Sequence, residues 1–166
     1  LVTYYDGPGG DITFPEGVRA PGILFFGRTD ITGITFPSTL QSISDFSFQD
    51  CTGLTHDTIP EGVTYIGRKA FSGCTSLTSV TLPASLTQLG EEAFAGCTAL
   101  TEVTLLGQTS IGSGAFAGCT ALEKVTLAAD PSSISGTAFR DTPWQAGLGE
   151  FAVVGGTLLR YQGDAE

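Results

Sequence analysis

At 166 residues the chain is long enough for one domain with its own core, and at 41% hydrophobic and 14% charged residues it is too apolar for a disordered segment. Seventeen acidic side chains against seven basic ones leave a net charge of −10, which repels phosphate backbones and anionic headgroups and points away from nucleic acid and membrane surfaces. No apolar run reaches the eighteen or so residues of a membrane span, so no membrane insertion is expected, and a chain without Asn has no N-glycosylation sequon.

Residues 1–11 show neither the basic start nor the apolar stretch of a secretion signal. "VTYYDG" at Val2–Gly7 resembles "LLRYQG" at Leu158–Gly163, with an apolar start, a Tyr and a final Gly in the same places. Residues 1–10 are therefore expected to be the remnant of a preceding hairpin or linker. Residues 158–166 would begin the same transition again, which makes the chain one segment of a longer array.

From Asp11 to residue 142 the sequence repeats itself. "AFAGCTAL" stands at Ala93–Leu100 and again at Ala115–Leu122, with a looser copy at Ala70–Leu77. Phe25, Phe48, Phe71, Phe94, Phe116 and Phe139 mark a period of 22–23 residues. Three residues after each Phe stand Arg28, Cys51, Cys74, Cys97, Cys119 and Thr142, and three further on Ile31, Leu54, Leu77, Leu100 and Leu122. Five residues before the Phe stand Ile43, Ile66, Leu89, Ile111 and Ile134, with Ala20 as the exception.

Within each unit a stretch such as Ser79–Pro83, "SVTLP", alternates polar and apolar residues and stops at Pro, as a short strand does. The rest has apolar residues three to five apart, broken by Gly, which predicts one short helical turn with tight bends. One strand and one return per 22–23 residues make a solenoid of about six coils, its strands stacked in parallel about 4.8 Å apart.

The unit resembles a leucine-rich repeat at Leu77-x-x-Val80-x-Leu82 and Leu100-x-x-Val103-x-Leu105. Its Pro after the strand and its "I-G-x-x-A-F-x-G-C-x-x-L" return resemble the BspA-like class more narrowly. The resemblance implies a leucine-rich repeat solenoid of the α/β superhelix class, with a parallel sheet on the concave face and short helical or 3-10 turns on the return. The position usually held by Asn in leucine-rich repeats holds Gly17, Thr39, Gly62 and Ser85, so the backbone there must find other partners.

In such a coil the Phe, Leu and Ile ladders point inward. The four Cys form a line, whereas zinc needs four sulfurs about 2.3 Å from one point, so no metal is expected. Parallel side-chain vectors also disfavour disulfides. The Cys are read as buried free thiols filling a tight seam.

With Val80 and Leu82 inward, Thr81 points outward, in register with Thr13, Thr35, Thr58, Thr104 and Thr126. Thr suits any strand, so this ladder reads as structural before functional. The neighbouring outward register varies through Asp11, Gly33, His56, Ser79, Glu102 and Lys124, and variation on a fixed scaffold is where a partner would be read. The candidate binding face is therefore Asp11, Thr35, His56, Thr58, Ser79, Thr81, Glu102, Thr104, Lys124 and Thr126. His56 is the lone histidine, with no nucleophile beside it, and reads as a surface residue. Asp57 falls in the inward register of Ile12, Ile34, Val80, Val103 and Val125, where a carboxylate should cost stability.

Past Thr142 the period breaks. Residues 143–166 read as a capping or linker segment in which Trp144 covers the last coil. Phe151–Val154 and Thr157–Tyr161 flank Gly155-Gly156 as a β-hairpin. No acid–base pair or nucleophile constellation is present, so neither catalysis nor a cofactor is expected. The resemblance implies an extracellular or cell-surface adhesion module of a bacterial protein, binding a protein or glycan on a host or neighbouring cell. The alternative is a structural spacer that presents another domain.

Overall fold

The computed structural model describes residues 7–22, 25–148, 151–154 and 157–161, with residue 57 and the last two segments described by their backbone alone. Every coil opens on a front strand: β1 (Gly10–Thr13), β2 (Ile31–Thr35), β4 (His56–Thr58), β6 (Ser79–Leu82), β8 (Glu102–Leu105) and β10 (Lys124–Leu127). The pairing is parallel and in register with the repeat: Val80 lies beside Val103, Thr81 beside Thr104, Leu82 beside Leu105. Like residues stack on like because the coil length hardly varies.

The returns hold more strand than expected. Besides short turns closed by i→i−3 bonds, such as Ala70 N to Gly67 O at 3.3 Å and Cys74 N to Phe71 O at 3.2 Å, they hold two-residue strands: β3 (Ser42–Ile43), β5 (Tyr65–Ile66), β7 (Gln88–Leu89), β9 (Ser110–Ile111) and β11 (Ser133–Ile134). These pair in an unbroken second parallel sheet, β3-β5-β7-β9-β11. The physical reason lies in the bends that follow. Phe46, Lys69, Glu92 and Gly114, each two residues before a ladder Phe, have positive φ. So do Gly27, Asp50, Gly73, Gly96, Gly118 and Asp141, each two residues after one. A right-handed helical turn cannot contain left-handed residues at that spacing. The backbone donors turn to the next coil instead: the N–H groups of Phe48, Phe71, Phe94 and Phe116 bond Ala70 O, Ala93 O, Ala115 O and Ala138 O at 2.7–2.8 Å.

The front sheet is divided, with β1-β2-β4 on one side and β6-β8-β10 on the other. The division falls beside Asp57, whose backbone pairs with Ile34 in the inward register. The expected inward carboxylate itself lies outside the described residues.

Between the two sheets runs one thin core. The six ladder Phe rings, each at most 1% exposed, stack at centroid separations of 5.0–5.5 Å with planes within 15°. Each such pair contributes about 0.5–1.5 kcal/mol beyond the area it buries. The coil rise sets the spacing, so the rings are held to an offset stack.

The cysteines are free and fully buried, as the ladder argument required. They do more than fill space. Each thiol donates to the carbonyl of the Phe one coil back: Cys51 to Phe25 O (3.0 Å), Cys74 to Phe48 O (3.2 Å), Cys97 to Phe71 O (3.2 Å) and Cys119 to Phe94 O (3.1 Å). Each of these carbonyls also takes an N–H from its own coil, Cys51 N to Phe48 O for instance. A small side chain that is apolar in bulk yet has one weak donor fits this place.

The turns that lack an Asn are satisfied by hydroxyls from the following coil. Thr39 Oγ1 accepts from Gly17 N (2.9 Å) and donates to Val18 O (2.9 Å); Ser85 Oγ does the same for Gly62 N (2.9 Å) and Val63 O (2.8 Å). Gly17 and Gly62 sit at φ +95° and +104°, where a side chain would be strained, so Gly in one coil is matched to a hydroxyl in the next. The Glu16 carboxylate adds two bonds from Ser38, to N at 3.1 Å and Oγ at 2.9 Å, which hold its pKa below the usual carboxylate value.

At the far end Thr142 replaces Cys. Its hydroxyl turns to Phe139 O (2.7 Å) and accepts from Gln145 N (3.1 Å), capping the short helix α1 (Pro143–Gly147). This places the Trp144 ring 4.6 Å from the Phe139 ring, over the last coil as expected. β12 (Phe151–Val154) and β13 (Thr157–Tyr161) form the antiparallel hairpin read from the sequence. The resemblance of Val2–Gly7 to Leu158–Gly163 involves residues 1–6, which lie outside the described residues.

Candidate functional site: the front strand face

Alternation along the front strands buries Ile12, Ile34, Val80 and Val103 and turns their neighbours outward. Thr13, Thr35, Thr58, Thr81 and Thr126 are exposed, and Thr104 is half-buried. Among the described residues, none of these six hydroxyls has a protein partner. A second set of threonines behaves differently. Thr55, Thr87 and Thr101 donate their hydroxyls to the carbonyls of Thr32, Thr64 and Thr78 in the previous coil, at 2.9–3.1 Å. Those hydroxyls brace the stack, and the six on the face do not.

The varied register lies in one line across the same face, Asp11 beside Gly33 beside His56, then Ser79 beside Glu102 beside Lys124. Of the ten residues named from the sequence, two pairs are brought together. Lys124 Nζ lies 2.6 Å from Glu102 Oε1. Both side chains are largely exposed, so the pair adds at most about 1 kcal/mol to stability. Asp11 and His56 stand on the strands either side of Gly33, and both lean over it. Ser79 and Thr81 lie instead on β6, across the division from Thr58. There a cleft of about 210 Å³ opens between Thr58, Glu61, Ser79, Thr81, Pro83 and Leu106. Leu106 is 38% exposed and takes the register place of Pro15, Pro37, Pro60 and Pro83.

Two contributors went unnamed in the sequence. Thr32 donates to Asp11 Oδ1 (2.8 Å), and Thr55 Oγ1 is 3.0 Å from His56 Nδ1. Their signal is recurrence: Thr32, Thr55, Thr78 and Thr101 sit one period apart, near the start of β2 and just before β4, β6 and β8. Among the described residues no group of three or more His, Cys, Asp or Glu is disposed to hold a metal ion. No helix there is long and apolar enough to cross a membrane.

The pattern that defines the BspA-type leucine-rich repeat region matches residues 22–144 in six copies. The chain belongs to the BspA-type leucine-rich repeat family. Solved structures agree with that placement. A leucine-rich repeat protein of T. pallidum is similar at 26% identity and a TM-score of 0.65, over 74% of this chain and 71% of that one. One from Bacteroides ovatus is similar at 26% identity and a TM-score of 0.54, over 80% of this chain and 44% of that one. This BspA-type array thus spans less than half of the Bacteroides ovatus chain. No curated protein matches it.

Proposed function

We propose that this BspA-type array is a protein-binding module of a bacterial cell-surface protein, working without catalysis or cofactor. One observation supports this most. On the front strands the Thr register is constant and the inward register is apolar but for Asp57, whereas the outward line Asp11, Gly33, His56, Ser79, Glu102, Lys124 varies. Beside it run six Thr hydroxyls that the fold does not use. A varied, exposed row on an otherwise regular strand face suits recognition, since side chains there change without disturbing a ladder. Family membership supports the surface location and a protein or glycan partner, and the face's polar character, with charges of both signs, suits a protein.

Panning a random peptide library on the immobilised chain tests the reading. Retained clones should lose binding to a variant with Asp11, His56, Glu102 and Lys124 all changed to Ala, at an unchanged melting temperature. They should keep binding to a return-side control, Arg68→Ala with Glu91→Ala. Clones indifferent to the face variant, or no clones at all, would favour the spacer.

A further inference from the structure

Gly33 is out of place in its strand. Its φ is not in the left-handed region, so the backbone does not require Gly there, and Gly inside a strand costs about 0.5–1 kcal/mol against Ala. A strand Gly without a backbone reason often marks close approach by another group. Here two groups approach. A Cβ on Gly33 would lie 2.7 Å from Asp11 Oδ1 and 2.6 Å from His56 Nε2. The strand order β1-β2-β4 puts the two side chains on either side of Gly33, so their polar tips converge on the space above it.

The hydrogen bonds around the notch decide what both tips present. Thr55 has one hydroxyl proton, and it goes to Thr32 O at 3.0 Å, just as the Thr101 proton goes to Thr78 O with no histidine nearby. Thr55 Oγ1 must then accept from His56, so Nδ1 bears the proton and Nε2 of the neutral ring presents a lone pair. Among the described residues Nε2 has no partner. On the other side Thr32 Oγ1 donates to Asp11 Oδ1 and holds the carboxylate in place. An anionic acceptor, bonded once by Thr32, and a neutral acceptor thus face one small space, and among the described residues no other protein donor reaches either. What fits is a compact cation with several N–H donors.

We propose that Asp11, Gly33 and His56 form a notch for a primary ammonium group, supplied by a lysine side chain of a protein partner. Asp11 provides the charge, His56 Nε2 accepts a second N–H, and Gly33 leaves the room. Lysine suits the place better than arginine, because a point charge with three donors can reach two acceptors on opposite sides whereas a planar fork pairs with one carboxylate. The net charge of −10 favours approach of such a partner. Only the source of the ammonium rests on the reading of the face as a protein-binding surface; the notch itself does not.

The test follows the His56 imidazole and Asp11 resonances by NMR while Nα-acetyl-lysine methylamide is added to the intact chain. The expected result is a saturable shift with a Kd on the order of millimolar, as befits one ammonium with no other contact. The norleucine analogue, which lacks the nitrogen, should give none. Asp11→Asn should weaken binding at least tenfold, and Gly33→Ala should abolish it by filling the notch. If Gly33→Ala does not fold, Asp11→Asn decides. Equal shifts from the norleucine probe, no saturation by lysine, or tight binding of Zn2+ with no response to lysine would each overturn the proposal. Lysine binding in the notch alongside peptide clones that ignore the front face would leave the notch standing and remove the proposed function.

Discussion

Replacing Phe94 by Leu probes how coils hold one another. The ring is fully buried, 5.0 Å from Phe71 and 5.5 Å from Phe116, with interplanar angles of 6° and 8°. Two stacks at about 0.5–1.5 kcal/mol each put the loss at about 1–3 kcal/mol. A small residual cavity raises it, and the Phe→Ala range of about 3–5 kcal/mol is the ceiling. We expect about 2–3 kcal/mol, measured as the change in unfolding free energy by urea titration. A double-mutant cycle sharpens the point. Phe71→Leu and Phe94→Leu should couple by about 0.5–1.5 kcal/mol, whereas Phe48→Leu and Phe94→Leu, one ring apart, should add within about 0.5 kcal/mol. A loss below about 0.5 kcal/mol for Phe94→Leu would refute the stacking argument. Equal coupling for adjacent and separated pairs would refute the nearest-neighbour picture of the array.

Three further expectations concern the other ladders. Native protein should not react with a thiol reagent, since all four thiols are fully buried, and denatured protein without reductant should show four thiols; burial pushes Cys51 up to about 12, and the bond with Cys119 together with burial pushes Cys97 well up, whereas that same bond lowers Cys119, which is shielded by burial alone. Fewer than four would reveal bridges. Because bonds from Ser38 lower the Glu16 pKa in the folded state, its contribution is present above the unfolded value and lost as pH falls through the folded one. Melting temperatures of wild type and Glu16→Gln should therefore differ at neutral pH and converge in acid, and a gap that widened in acid would contradict this. Asp57→Val should stabilise the chain by about 1 kcal/mol in the same urea titration, since Asp57 is aligned with Ile34 in a buried register; clear destabilisation would mean that the carboxylate has a specific partner.

The front strands, the Phe stack, the buried thiols and the Trp144 cap were legible in the sequence because a fixed period forces like residues to lie side by side. The returns were not. Lys69 and Glu92 take left-handed conformations with nothing in their chemistry to announce it. The Cys bonds to Phe carbonyls cross from one coil to the previous one, and the period places the residues as neighbours without showing which atoms meet. The hydroxyl braces were half visible: Gly17 and Gly62 alternate with Thr39 and Ser85 at the turn, but the donor and acceptor roles needed coordinates. On the candidate face, the varied row was readable and its grouping was not. Gly33 counted as one more varied position until Asp11 and His56 were seen leaning across it.

The most direct test of the account uses the Thr ladder as its own reporter. With Thr methyl groups labelled with 13C, a peptide partner obtained by panning is titrated into the chain and the methyl shifts are followed. The front-face residues Thr13, Thr35, Thr58, Thr81, Thr104 and Thr126 should respond together, with Thr64, Thr87 and Thr109 on the return side unmoved. Shifts confined to Thr64, Thr87 and Thr109, or to Thr142 at the capped end, would contradict the claim that fixed ladders build this protein and its varied strand face does the binding.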